Sequence, residues 1–188
     1  VQSDIAQTVL AAADALKSQG VTVREAIPPA IAQFGNLYER MRNADGGWGV
    51  RRVLSRWGTE TPGEALEQRL SEAQLIPTKD YVDVLIEVDE YKSAMTSFMR
   101  DYDAILCPPS ANPPIRHGAG ARSCYEAWTF LSGVNLTGWP ALVVRAGSTT
   151  AGLPLGVQIV GRPFGDKTVI ELARIVERAC GGYRRPDL

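Results

Sequence analysis

Histidine is almost missing from this chain: His117 stands alone among 188 residues. Lysine is thin too, confined to Lys17, Lys79, Lys92 and Lys167. The three cysteines, Cys107, Cys124 and Cys180, are widely separated and odd in number. That excludes the paired framework of a small secreted domain and suits the reduced thiols of a cytoplasmic protein. No apolar run approaches the roughly 18 residues of a membrane span, and no basic stretch leads into an apolar one as in a signal peptide. The first residue is Val1, so a targeting segment ahead of it would not be visible. Net charge is −1, which removes the electrostatic footprint of a nucleic-acid binder. Arg51, Arg52 and Arg56 form a local basic patch, read as a solvated helix face. Neither nucleic acid nor membrane is therefore expected as a partner.

What is present is ordinary for one soluble domain or a large piece of one: 45% hydrophobic and 22% charged residues. Residues 2–19 are predicted as a helix capped by Ser3 or Asp4, with Ile5, Val9, Ala12 and Leu16 on one face and Gly20 at its end. Val21–Glu25 alternates and is rich in β-branched residues, which predicts a strand and makes 1–26 a helix–strand unit of the kind found in parallel α/β sheets. A strand should precede that helix and none is visible, so the chain is expected to begin within a fold.

Residues 27–102 read as a helical region interrupted at Gly46-Gly47. Thr61-Pro62-Gly63-Glu64 and Ser71 with Gln74 look like helix starts. The strongest helix runs from about Asp80 to Arg100. Val84, Val88, Tyr91, Met95 and Phe98 share a stripe, with Leu85 and Met99 beside it, read as core. Residues 103–188 change character. Ala104–Cys107 is a short strand stopped by Pro108-Pro109, and a Pro- and Gly-rich loop follows to residue 122. A helix is expected around Cys124–Leu131, strands at 141–145 and 156–160, and a final helix over 166–180. All three strands read as buried on both faces.

Few constellations here carry chemistry. Cys107 or Cys124 with His117 is the one nucleophile–base pairing on offer, and buried structural cysteine is the preferred reading. Cys107, His117, Cys124 and Cys180 lack paired ligand spacing, so no metal site is assigned. Gly118–Ala121 has no strand–loop–helix setting and no following Gly-Lys-Ser, so it reads as a loop rather than a phosphate cradle. The lysines lie on helix surfaces, and no serine sits in a nucleophile elbow or a Gly-Ser-Ser-Gly context. No catalytic residue is assigned.

Two stretches are more informative. One is Asn135-Leu136-Thr137-Gly138-Trp139-Pro140-Ala141, and the other is Gly152-Leu153-Pro154-Leu155-Gly156-Val157-Gln158-Ile159-Val160-Gly161-Arg162-Pro163-Phe164. With Tyr102–Pro108 ahead of them and Asp166 behind, they resemble the closing segment of the amidase signature family. Residues 1–26 match more weakly. The resemblance implies an α/β fold, seen as its C-terminal part: a mixed central sheet flanked by helices. It also implies hydrolysis of a small-molecule carboxamide by a Ser–cis-Ser–Lys machine, through an acyl-enzyme and without a cofactor. The segment carrying those three residues is not present in this sequence, so the chain alone is expected to be inactive. Read from the residues alone, Gly138, Pro140, Gly152, Pro154, Gly161 and Pro163 shape turns, Asp166 caps the last helix, and Asn135 and Gln158 hydrogen-bond buried backbone.

By the same resemblance, Pro108, Trp128, Leu131 and Ser132 are the substrate-pocket candidates. Many relatives have Thr-x-Pro where this chain has Leu131-Ser132-Gly133. The glutamine-using subunits of tRNA-dependent amidotransferases place an acid near Trp128; Glu126 is close by. An aromatic there suits an apolar or aryl acyl group. General amidase is therefore preferred. The alternative is the glutamine-hydrolysing component of a tRNA-dependent amidotransferase, and the outside rival is a non-catalytic scaffold of the same fold. An uncovered sheet would also make the chain associate, so a homodimer is admitted.

Overall fold

The computed structural model describes residues 1–28, 30–31, 34–116 and 129–185. The fold is α/β, with helices packed on a small sheet. In order it contains α1 (Ser3–Ser18), α2 (Phe34–Asn43), α3 (Trp48–Arg56), α4 (Glu64–Glu72) and α5 (Thr78–Phe98). A 3-10 turn (Met99–Asp101) leads into β1 (Ala104–Cys107), followed by α6 (Thr129–Thr137), β2 (Ala141–Ser148), β3 (Pro154–Gly161) and α7 (Asp166–Ala179). The strand order is β1-β3-β2, and every pairing among the described residues is antiparallel.

Strand alternation divides the interior in two. Val157 and Ile159 of β3 point to one face, where Ala12 and Leu16 of α1 and Val169, Ala173 and Val176 of α7 cover them. Val160 points to the other face, with Ile105 and Cys107 of β1 beside it. That face meets Val84, Val88, Tyr91 and Met95 of α5, Leu37 of α2 and Leu136 of α6. The predicted stripe on α5 is this core, with Phe98 partly buried and Met99 fully so, while Leu85 turns outward. Each such side chain contributes about 1.5–3 kcal/mol by leaving water.

Several sequence expectations need correction. Val21–Glu25 is not a strand. Val21 and Val23 do pack inward against the α1–α7 core, so the alternation is real. What is missing among the described residues is a neighbouring strand to hydrogen-bond with, and without a ladder alternation does not make a sheet. Nor are all three strands buried on both faces. β3 is central and buried from Val157 to Gly161, whereas β2 is an edge that leaves Val143 exposed.

The caps also differ. α1 starts after Gln2, with no side-chain cap. Asp4 instead accepts from the Thr150 N–H at 3.0 Å, tying the helix to the β2–β3 turn. α4 begins at Glu64 behind Gly63, so neither Thr61 nor Pro62 plays its predicted part. Ser71 lies inside α4 and donates back to the Gln68 carbonyl. Asp166 is the first residue of α7 rather than its cap. The break at Gly46-Gly47 does separate α2 from α3. Both glycines have positive φ, and a Cβ on Gly46 would meet the Leu75 backbone nitrogen at 2.8 Å.

One irregularity positions α1. Between Arg145 and Gly147 the β2–β3 register shifts by a bulge. Gly147 then faces Thr8 so closely that a Cβ would lie 2.7 Å from the Thr8 hydroxyl. The helix can lie against the strand only because that position has no side chain.

Candidate functional site

The two informative sequence stretches are joined by the fold. Gly138, at φ +68, turns the chain out of α6, and Pro140 delivers it into β2. The Gly161 N–H at the end of β3 donates to the Pro140 carbonyl at 2.8 Å. A cavity of about 460 Å³ opens at this junction, with Thr137–Pro140 on one side and Pro163, Phe164 and Asp166 on the other.

Phe164 had no assigned role in the sequence reading. It is 98% exposed and holds φ +62, a left-handed conformation costly for a side chain of this size. The signal available in the sequence was a bulky aromatic between Pro163 and Gly165 in a tight turn. Next to it, Arg162 reaches back over the end of the helical region. Its Nε donates to the Tyr102 carbonyl at 2.7 Å and the Met99 carbonyl at 3.1 Å, and its Nη2 to the Arg100 carbonyl at 3.3 Å. The Met99 carbonyl also accepts from the Tyr102 N–H, and the guanidinium meets the negative dipole end of α5 and its 3-10 turn.

On the α5 face of the sheet, Cys107, Gln158 and Val143 stand in one cross-strand row. Gln158 is 1% exposed, and its amide Nε2 donates to the Cys107 sulfur at 3.4 Å. Among the described residues, the hydrogen bond made by the Gln158 side chain is thus to a sulfur, not the expected buried backbone, and Asn135 is exposed. Burial pushes the Cys107 thiol up, with Gln158 opposing in part. Burial also raises the Cys180 thiol against the nearby Arg145. Both cysteines therefore stay protonated near neutral pH, and a protonated thiol is a poor nucleophile. His117 and Cys124 lie outside the described residues, as do Glu126, Trp128 and the Gly118–Ala121 segment.

Of the pocket candidates, Pro108 directly follows β1 and is half-buried, while Leu131 and Ser132 are half-buried in the first turn of α6. Cys107 just before Pro108, and Val134 just after Ser132, pack on the same core. The two segments therefore approach one region of the molecule. The cavity at Pro140 is lined by residues further along both motifs, and a second cavity of about 360 Å³, between α2, α4 and α5, is also away from the candidates. The helix predicted around Cys124–Leu131 is described only from Thr129 onward, and it extends to Thr137.

Among the described residues, no group of three or more His, Cys, Asp or Glu side chains could hold a metal ion, and no helix is long and apolar enough to cross a membrane. Chemically, the region offers buried apolar walls and a side-chain amide.

Comparison with known proteins agrees with the two motifs. The chain is 32% identical over 160 residues to a subunit of the glutamyl-tRNA(Gln) amidotransferase of Azorhizobium caulinodans, covering 81% of this chain and 30% of that protein. It thus spans about a third of the length of that relative. Its fold resembles that of a 6-aminohexanoate cyclic dimer hydrolase complexed with substrate, with a TM-score of 0.81 at 19% identity over 100% of this chain and 44% of the other. A fatty acid amide hydrolase gives a TM-score of 0.78 at 19% identity, over 96% of this chain and 37% of that one. The amidase family model matches residues 1–170, and the chain belongs to that family.

Proposed function

We propose that this chain is the part of an amide hydrolase that backs and walls the acyl pocket. The reaction is cleavage of a carboxamide C–N bond through a serine acyl-enzyme. A serine hydroxyl adds to the carbonyl carbon, its proton passes by way of the lysine-assisted network to the leaving nitrogen, and water then releases the acid. The single observation that carries the reading is the family match over residues 1–170. The junction of both motifs at Pro140 and Gly161 is consistent with it. The serines and lysine of that machine are assigned to a segment other than these 188 residues, which gives this chain by itself no turnover. Pro108, Leu131, Ser132 and Trp128 are proposed to contact the acyl group, with Trp128 favouring an apolar or aryl one.

A second reading is favoured by the names of the curated relatives: the glutamine-hydrolysing component of a tRNA-dependent amidotransferase. Against it, on the resemblance, stands an aromatic, Trp128, near the place of the acid that would meet the amino group of glutamine, with Glu126 close by. Ammonia and amine release from aryl amides, alkyl amides and L-glutamine, measured side by side on the native protein and on residues 1–188, separates these readings. The first predicts faster turnover of aryl and alkyl amides by the native protein, a serine-linked acyl adduct in quenched samples, and nothing from the 188-residue chain. Preference for glutamine establishes the second reading. A native protein inert towards every amide leaves the scaffold role.

A further inference from the structure

Two polar side chains are buried among the described residues, Thr8 and Gln158. Thr8 has a ready partner: its hydroxyl donates to the Asp4 carbonyl one helical turn back, at 2.7 Å. Gln158 has none as good. It stands in the central strand among Val157, Ile159 and Val160, all buried, where an apolar side chain suits the surroundings better. A primary amide carries two N–H donors and an oxygen acceptor. Among the described residues this one makes a single hydrogen bond, from Nε2 to the Cys107 sulfur at 3.4 Å. Sulfur is a weak acceptor, and turning the amide over only moves the unpartnered atom to its other end. A buried amide with so weak a partner lowers stability relative to an apolar side chain of the same length. At 1% exposure Gln158 is enclosed by this chain itself, so its surroundings do not depend on what further chain covers the surface.

Its place in the sheet says what it holds. Cys107 and Gln158 are the last pair of the β1–β3 ladder. The next residue is Pro108, which has no N–H with which to continue the ladder. The bond from Nε2 to Sγ therefore crosses the final rung of β1. A side-chain bond there resists fraying of the strand end and fixes where Pro108 begins.

We propose that Gln158 is a positioning residue for the acyl pocket: through Cys107 it holds the end of β1, and with it Pro108, in place against the acyl group. The inference rests on the reading of Pro108 as a wall of that pocket. It accounts for an amide that stability alone would exclude. A wall that shifts is felt by the substrates that touch it. Bulky acyl groups report the shift, and an acyl group as short as acetyl does not.

The test is made on the native protein, with acetamide, hexanamide and benzamide as substrates. Gln158→Met leaves the melting temperature level or higher. It lowers kcat/KM for hexanamide and benzamide by about tenfold and changes that for acetamide by less than about threefold. A merely structural glutamine would instead lose stability and lower all three alike, which overturns the proposal. Cys107→Val removes the sulfur and gives the same selective loss. The double variant loses no more than either single one, because both break the same bond; additive losses also overturn the proposal. Pro108→Ala in the same series separates this inference from the reading beneath it. A selective loss in Pro108→Ala without one in Gln158→Met overturns the positioning role and leaves the pocket reading standing. No selective loss in Pro108→Ala, or no hydrolysis of any of the three amides by the unaltered protein, overturns both. If Gln158→Met fails to fold, which circular dichroism detects, Cys107→Val carries the same comparison.

Discussion

A Cβ placed on Gly161 would lie 2.5 Å from Cγ2 of Val169, inside any real carbon–carbon contact. The same atom would crowd the Gly165 carbonyl and the Pro140 ring. Gly161 is therefore the point at which α7, the β2 entry and the end of β3 converge. Gly161→Ala is expected to destabilise the chain by about 1–3 kcal/mol, the usual range for overpacking a dense site. Val169→Ala in the same chain should restore part of that loss, since it removes the clashing methyl. Urea denaturation of the single and double variants measures it. Two losses that simply add would place the strain elsewhere.

Tyr91 is buried, and its hydroxyl has no hydrogen-bond partner among the described residues. Tyr91→Phe removes an unsatisfied polar atom and nothing else, so stability near neutral pH should stay level or rise by up to about 1 kcal/mol. The pH dependence gives a second reading. Burial pushes the phenol from its ordinary 10 up to about 12. The unfolded chain therefore releases this proton first. Stability is undiminished below pH 10 and lost as pH rises from 10 towards 12, by roughly 1 kcal/mol per unit. The Phe variant lacks this component. Equal slopes for both proteins above pH 10 would refute it.

Arg162→Ala should cost about 1–2 kcal/mol, because three carbonyls at the end of the helical region lose a charged donor. Arg162→Lys should recover less than half. An ammonium keeps the charge but not the planar fork that reaches Met99, Arg100 and Tyr102 together. Full recovery by lysine would mean that charge alone matters.

On the proposed acyl-pocket role, Trp128→Ala in the native protein should lower kcat/KM more for bulky apolar acyl groups than for small ones. The reason is the aromatic that the resemblance puts near the acid of the glutamine-using subunits, with Glu126 close by. Equal losses across an acyl series, or a fallen melting temperature with unchanged preference, would put Trp128 in the core instead.

How far the sequence could be read depended on whether the deciding interaction was local. The α5 stripe was legible because a 3.6-residue period states which side of a helix is buried. The turn at Gly138 was legible because positive φ favours glycine. Val21–Glu25 was misread because pairing is decided by what lies alongside, and the alternation of Val21 and Val23 is the same with or without a neighbour. The tie between Asp4 and Thr150 was invisible for a related reason: Asp4 has the pattern of a cap, and only the distant β2–β3 turn diverts it. The Arg162 clamp spans about sixty residues of sequence and leaves no periodic trace. At the candidate site, motif residues Pro140 and Gly161 were legible as turn formers, but that they bond to each other was not.

The middle strand of the sheet is the last of the three in the chain. β2 meets β3 across a short turn, but β1 pairs only with residues more than fifty positions later. A ribosome delivering this chain from its N-terminus would release β1 long before its only described partner exists. Among the described residues, Ala104–Cys107 has no strand to pair with until residues 154–161 emerge. The slow step of folding then falls on a long loop closure rather than on the hairpin, and that interval is when the nascent chain is most open to capture by a chaperone or by another strand.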